Sequence, residues 1–170
     1  AGTPLLTYAT VLQSAWQAGL IGHDGEEWHP TAEWDSHRQL RPEQRWAELA
    51  LAWARGHHVA AVVGTPDSSG TGRSLLSEMT RRDGVRTRRG SLLRLLRTAP
   101  GVDASEESLV AALAWAFPLV PAEVIREETS ALLLEGQALG LLDGGALTVL
   151  GHELVFALDE EITQADARLA

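Results

Sequence analysis

Cysteine is absent from this chain, and so is lysine. Without cysteine there is no disulfide framework and no thiolate metal site, which fits a reducing cytoplasm and removes redox and zinc-finger readings. Without lysine there is no phosphate loop of the form G-x-x-x-x-G-K-[ST], whose backbone amides cradle phosphates while the lysine reaches the outer ones. The nearest imitation is SSGTGRS, Ser68 to Ser74. Asp67 stands where the first glycine belongs and Arg73 where the lysine belongs, so the segment is expected to be a surface loop. Long apolar runs are also missing. Stretches such as AALAWAFPLV stop well short of the roughly 20 residues that span a bilayer, and no basic segment followed by an apolar one opens the sequence. No membrane or export signal is therefore expected.

Catalytic patterns are scarce as well. The only near match to a nucleophile elbow, DSSGTG, lacks the leading glycine, and the acid pairs Glu127-Glu128 and Glu160-Glu161 are neighbours that do not converge on one substrate. Histidines occur as His57-His58 and as His23 with His29. Neighbours on an extended segment point to opposite faces, and no His-Glu-x-x-His spacing is present. The sequence therefore predicts a non-enzymatic chain with no catalytic residue, no cofactor and no metal.

What is present is hydrophobic patterning and arginine. With 170 residues and 45% hydrophobic content, the chain can bury a core of one domain or two small packed ones. Its net charge is −9, yet Arg73, Arg81, Arg82, Arg86, Arg88, Arg89, Arg94 and Arg97 meet only Glu78 and Asp83 in their window, a local balance of +6. So acidic a chain does not attract nucleic acid through its general field, but a concentrated patch can still touch phosphate. On a helix beginning at Thr87, Arg89, Arg94 and Arg97 share one half while Leu92, Leu95 and Leu96 occupy the other, so the basic face is expected to point outward. Arg81, Arg82, Arg86, Arg88, Arg89, Arg94 and Arg97 are the candidate nucleic-acid contacts. Three other uses compete: a solvated face, pairing with an acidic helix of the same chain, and binding of an acidic partner.

Along the chain, LLTYATVLQSAWQA (Leu5 to Ala18) has helical spacing and stops at Gly19. Asp24-Gly25 marks a hairpin. PEQRWAELALAWARG, from Pro42, is a helix with Trp46, Leu49, Ala50 and Trp53 on one face, and these tryptophans read as core. HVAAVVG reads as a short buried strand or an extended segment, and TPDSSGTG as a mobile loop. A helix follows from Thr87 to Thr98, broken by Ala99-Pro100-Gly101. Asp103 to Ser105 then offer N-caps for EESLVAALAWAF, a long helix starts at Pro121, and a hairpin centres on Asp143-Gly144-Gly145. EEITQADARLA reads as a polar tail. Trp28, in the first hairpin, either packs back on its own helix or is offered to a partner.

Two stretches far apart share one plan. QAGLIGHDGEEWHPT (Gln17 to Thr31) and QALGLLDGGALTVLG (Gln137 to Gly151) each pass from a helix end through Gly-Leu and a glycine-bearing turn to a threonine. Two helices, a third helix and a hairpin, from about Thr87, follow the order of a winged-helix unit, and the first 30 or so residues follow the order of another unit's last helix and wing. The expected fold is mainly α with short β-hairpins: winged helix, meaning helix-turn-helix plus wing, with one complete unit and part of a second. The expected divisions are 1–40 (last helix and wing), 41–86 (connecting helix, short strand and flexible loop), 87–158 (second unit) and 159–170 (polar tail), with neighbouring segments on both sides.

The words AGLIGHDGEEWHPTAEW, RWAELALAWARG, the VVG segment and ALGLLDGGALTVLGHELV, in this order and spacing, carry a family likeness over roughly Leu5 to Leu158. The chain resembles the central winged-helix region of the large actinobacterial helicase-associated domain proteins, whose later portion is described as similar to the accessory domain of the XPB helicase family. The resemblance implies a DNA-associated setting in a multidomain protein, with DNA through the arginine patch, flanking domains of the same polypeptide or a protein partner as its contacts. It implies no catalytic residue. Against base reading, the third helix of the complete unit carries Glu123, Glu127, Glu128 and Glu135 with only Arg126, an acidic surface that repels phosphate.

Overall fold

The computed structural model describes residues 4–98 and 104–169. Its α-helices are α1 (Pro4–Gln17), α2 (Ala32–His37), α3 (Pro42–Arg55), α4 (Val85–Thr98), α5 (Glu106–Ala116), α6 (Ala122–Ala138) and α7 (Val149–Leu169). Its strands form two antiparallel hairpins, β1 (Ile21–His23) with β2 (Trp28–Pro30), and β3 (Leu142–Asp143) with β4 (Ala146–Leu147). The mainly helical class with short hairpins is thus what the chain adopts. The chain separates into two compact units, with the division after Arg86 in the first turn of α4.

In the first unit, α1 packs on α3. Pro42 sits at the start of α3, where its missing N–H costs nothing, and Gln44 accepts from the Arg41 N–H at 3.2 Å. Ala50, Trp53 and Ala54 then turn inward, with Trp53 among the largest fully buried side chains. Beneath α1 lies a polar cluster. Gln13 donates to the Leu75 carbonyl at 3.2 Å and to the Thr80 hydroxyl at 3.1 Å, and that hydroxyl also meets His58 Nδ1 at 3.0 Å. These buried groups satisfy one another, as a core with little room for water requires.

HVAAVVG does not form the expected strand. It holds a single bridge between His58 and Arg81, and then a turn of 3-10 helix at Ala60–Val62. Val59 and Ala60 are buried there, so apolar contact is reached without a second strand to extend pairing. The glycine-rich loop after it is closed on itself. Asp67 accepts from the Ser69 and Thr71 amides at 2.8 and 2.9 Å, while Arg73 donates to Thr65 Oγ1 and to the Pro66 carbonyl, both at 2.7 Å. No α-helix follows the loop directly, as a phosphate loop would need; the next helical turn is Glu78–Thr80.

In the second unit, Ser105 caps α5 by accepting from the Ser108 N–H at 3.2 Å, with Glu106 and Glu107 in the positive first turn. The expected break at Ala99-Pro100-Gly101 and the alternative cap Asp103 lie outside the described residues. Leu109, Val110 and Leu113 of α5 and Ile125 and Leu132 of α6 are buried together with Leu92, Leu93 and Leu96 of α4. α5 packs closely on α6. The hairpin seats on α6 at Gly136, where an added Cβ would come within 2.7 Å of Leu142 Cδ1.

The two helix-to-hairpin junctions use the same bonds. Gly19 and Gly140 take positive φ, 74° and 70°, the left-handed helix ending that glycine adopts without a Cβ clash. The next residue donates its N–H back into the last helical turn, Leu20 to the Ala15 carbonyl at 2.9 Å and Leu141 to the Gly136 carbonyl at 2.8 Å. Beyond each hairpin a threonine clasps the junction. Thr31 N–H meets the Leu20 carbonyl and Thr148 N–H the Leu141 carbonyl, both at 3.0 Å. Their hydroxyls donate to the Gly19 and Gly140 carbonyls at 2.6 and 2.8 Å. Each threonine then leads into a helix, α2 or α7. The expected polar tail is the continuation of α7, so the division at 158/159 falls inside a helix.

Candidate functional site

The seven candidate arginines do not form one surface. Their surroundings follow from where α4 turns its face. Leu92, Leu93 and Leu96 are all nearly inaccessible, and Arg89, three, four and seven positions before them, lies on the same side. The expectation that Arg89 points outward is therefore corrected: its side chain is 0% exposed. It is held beside Glu135, Nη2 to Oε2 at 3.5 Å, a carboxylate that is itself inaccessible. Burial pulls the Arg89 guanidinium down from its ordinary value to about 10, against the opposing pull of Glu135 and Glu128, and it stays charged at neutral pH.

Arg88 is buried as well. Its Nε and Nη2 grip both oxygens of Glu128, with Nη2 to Oε1 at 2.8 Å, the two-pronged geometry in which a guanidinium matches a carboxylate. Arg94 and Arg97 lie further along α4 and are about one-third exposed. They converge on Asp159 of α7, Arg94 Nε to Oδ1 at 2.8 Å and Arg97 Nη1 to Oδ2 at 2.6 Å. Burial pushes the Asp159 carboxyl up, but hydrogen bonds and charge from both arginines outweigh it and hold the group below its ordinary 3.8. The structure thus brings Arg88 and Arg89 to α6, and Arg94 and Arg97 to α7.

Arg81, Arg82 and Arg86 precede this cluster in the chain. Arg81 and Arg86 are exposed and Arg82 is half-buried. Arg81 lies 3.6 Å from the solvated Asp83, and Arg82 donates to the carbonyls of Met79 and Arg81 at 3.1 and 2.8 Å. Of the acids on α6, Glu123 and Glu127 face solvent, whereas Glu128 and Glu135 are inside.

Glu128 and Glu135 lie seven residues apart, two helical turns, on the side of α6 that also buries Ile125 and Leu132. That spacing is the signal in the sequence for a buried acidic pair. Asp159 gave no such signal, because it sits in a segment whose composition reads as a tail.

The histidines also find organic partners. His37 is buried at the end of α2, with Nδ1 2.6 Å from Glu48 Oε2 of α3 and its ring stacked on Trp34. His58 lies against Trp16, with ring centroids 4.4 Å apart. His23 Nδ1 accepts the Gly25 N–H at 3.0 Å, and His29 lies 3.7 Å from Asp24. Among the described residues no three His, Asp or Glu side chains gather as a metal site would need. Trp28 meets Trp16 edge-on at 5.5 Å, packing back on its own helix while part of its ring stays exposed. No helix among the described residues is long and apolar enough to cross a membrane.

No family model, curated protein or solved structure matches the chain.

Proposed function

We propose that this chain is a noncatalytic winged-helix module of the helicase-associated kind, working through protein contacts. The order of α4, α5, α6 and the β3–β4 hairpin supports a complete winged unit, and the repeated junction after α1 supports the end of another. The family resemblance of the sequence supports the helicase-associated setting. One observation carries the preference for protein over DNA: Arg88, Arg89, Arg94 and Arg97 are engaged by Glu128, Glu135 and Asp159. A guanidinium that already neutralises a carboxylate releases no counterion from DNA, so these side chains contribute little to phosphate affinity. The helix in the recognition position adds repulsion, since it presents Glu123 and Glu127 to solvent.

A noncatalytic role fits the lack of lysine and the position of Arg73, which bonds its own loop and not an open phosphate cradle. The second reading is a nucleic-acid contact through Arg81, Arg82 and Arg86, favoured by the exposure of Arg81 and Arg86. Fluorescence anisotropy with labelled single-stranded and duplex DNA at low salt separates the two. The protein-contact reading predicts no saturable rise. Saturable, salt-sensitive binding that disappears when Arg81, Arg82 and Arg86 are changed to Ala establishes the second reading in its place. ATP turnover is expected to stay at background with or without DNA, and a rate that copurifies with the protein contradicts the noncatalytic assignment.

A further inference from the structure

The matched junctions allow α1 and α6 to be compared position by position. Counting back equally from Gly19 and Gly140 pairs Ser14 with Glu135, Val11 with Leu132, Tyr8 with Thr129 and Thr7 with Glu128. On α6 these positions are all inside: Glu128 is 6% exposed, Thr129 0%, Leu132 1% and Glu135 0%. On α1 Ser14 is buried, but Thr7 is exposed, Tyr8 is 60% exposed and Val11 37%. Leu5, one turn before Tyr8, is 63% exposed and extends the same apolar stripe. The face of α6 is closed by α5, which packs on it, and by α4, which reaches it through Arg88 and Arg89. The matching face of α1 has no such cover from the described residues of its own unit. Tyr8 and Val11, left open at positions that the structural twin buries, mark an interaction surface, and Leu5, whose counterpart Arg126 is itself exposed, only lengthens it.

We propose that the Leu5–Tyr8–Val11 face of α1 is the seat of a helical hairpin joined to the N-terminal side of α1, ordered like α4–α5 but uncharged on its inner face. The position follows from the repeat, because α4 and α5 stand directly before the helix they cover. The chemistry follows from charge. Pro4–Gln17 carries no acid and no base, and Thr7 and Ser14 stand where α6 has the two glutamates that hold arginine. A covering helix like α4 would bury two guanidinium groups there without a carboxylate, leaving both charges inside unpaired. The occupant therefore presents leucine-like or hydroxyl side chains. This rules out α4 of a second copy, and it rests on the winged-helix reading above.

Tyr8 is the single tyrosine of the 170 residues, so tetranitromethane nitration read by mass on the peptide that contains Tyr8 reports on this face. The 170-residue chain and the polypeptide as its gene encodes it, with whatever precedes α1, are nitrated side by side. Tyr8 is expected to react readily in the former and to lose that reactivity in the latter. Changing Tyr8 and Val11 together to Glu is expected to leave the urea midpoint of the 170-residue chain in place. In the longer polypeptide it makes the preceding segment sensitive to limited proteolysis. Equal reactivity in both polypeptides overturns the proposal, as does a gene that encodes no helical pair before α1. Protection already present in the 170-residue chain and reversed by dilution overturns it too, by making a second copy the occupant. DNA binding through Arg81, Arg82 and Arg86 would sink the protein-contact reading while leaving the nitration result untouched, so the two failures are distinct.

Discussion

At the scale of residues, the second unit is organised by arginine. A buried ion pair gains little over a well-packed apolar pair, but removal of one partner leaves an unpaired charge inside, costing about 3–5 kcal/mol. Glu135→Ala is therefore expected to destabilise the protein by about that amount in urea unfolding, whereas Arg89→Met with Glu135→Leu recovers most of the loss. If the single substitution costs well under 1 kcal/mol, the pair is not the buried one described. Asp159 gives a pH test. Its folded carboxyl titrates below 3.8, so the unfolded chain binds more protons in that range. The stabilisation is complete above the unfolded value and is lost as pH falls through the folded one. Acidification below about pH 4 is expected to lower the amide-exchange protection factors of α7, and Asp159→Asn removes that loss. Sequence alone located the arginines but misjudged Arg89, because one helical face can carry leucines and a guanidinium when the facing helix supplies a carboxylate. The spacing of Glu128 and Glu135 held that information; nothing near Asp159 did.

At the scale of elements, helix ends and hairpins were the most legible features. Gly19, Gly140 and the glycines of the turns require backbone conformations that few other residues adopt, so their spacing announces the junctions directly. The clasping threonines could be seen in the sequence but not their bonds. Thr31→Val and Thr148→Val are each expected to cost about 0.5–1.5 kcal/mol, the ordinary net value of a hydrogen bond, and to loosen exchange only in their own hairpin. Unequal effects, with one substitution silent, would contradict the equivalence of the junctions. Gly151 makes the passage from hairpin to α7 tighter still. An added Cβ would stand 2.3 Å from the Leu141 carbonyl oxygen, so Gly151→Ala is expected to destabilise by about 1–3 kcal/mol as the backbone shifts. Three elements were hidden. The 21-residue α7 lies where the composition reads as a polar tail, the six-residue α2 is too short for its periodicity to register, and HVAAVVG has the composition of a strand but no neighbouring strand to pair with.

For the whole molecule, a net charge of −9 and a basic window of eight arginines looked like an acidic body with one positive patch. Folding dissolves much of that contrast by spending half of the window on carboxylates that lie 40 or more residues away in sequence. Long-range pairing of this kind is invisible to a reading based on local composition, and for that reason function was less legible than fold. The most direct test is to titrate labelled duplex DNA with the wild type and with Arg94→Gln/Arg97→Gln, following anisotropy and amide exchange of α7 together. The account predicts flat anisotropy for both proteins and faster exchange in α7 of the variant. Saturable, salt-steep binding by the wild type that the variant loses, with α7 exchange unchanged, would contradict it.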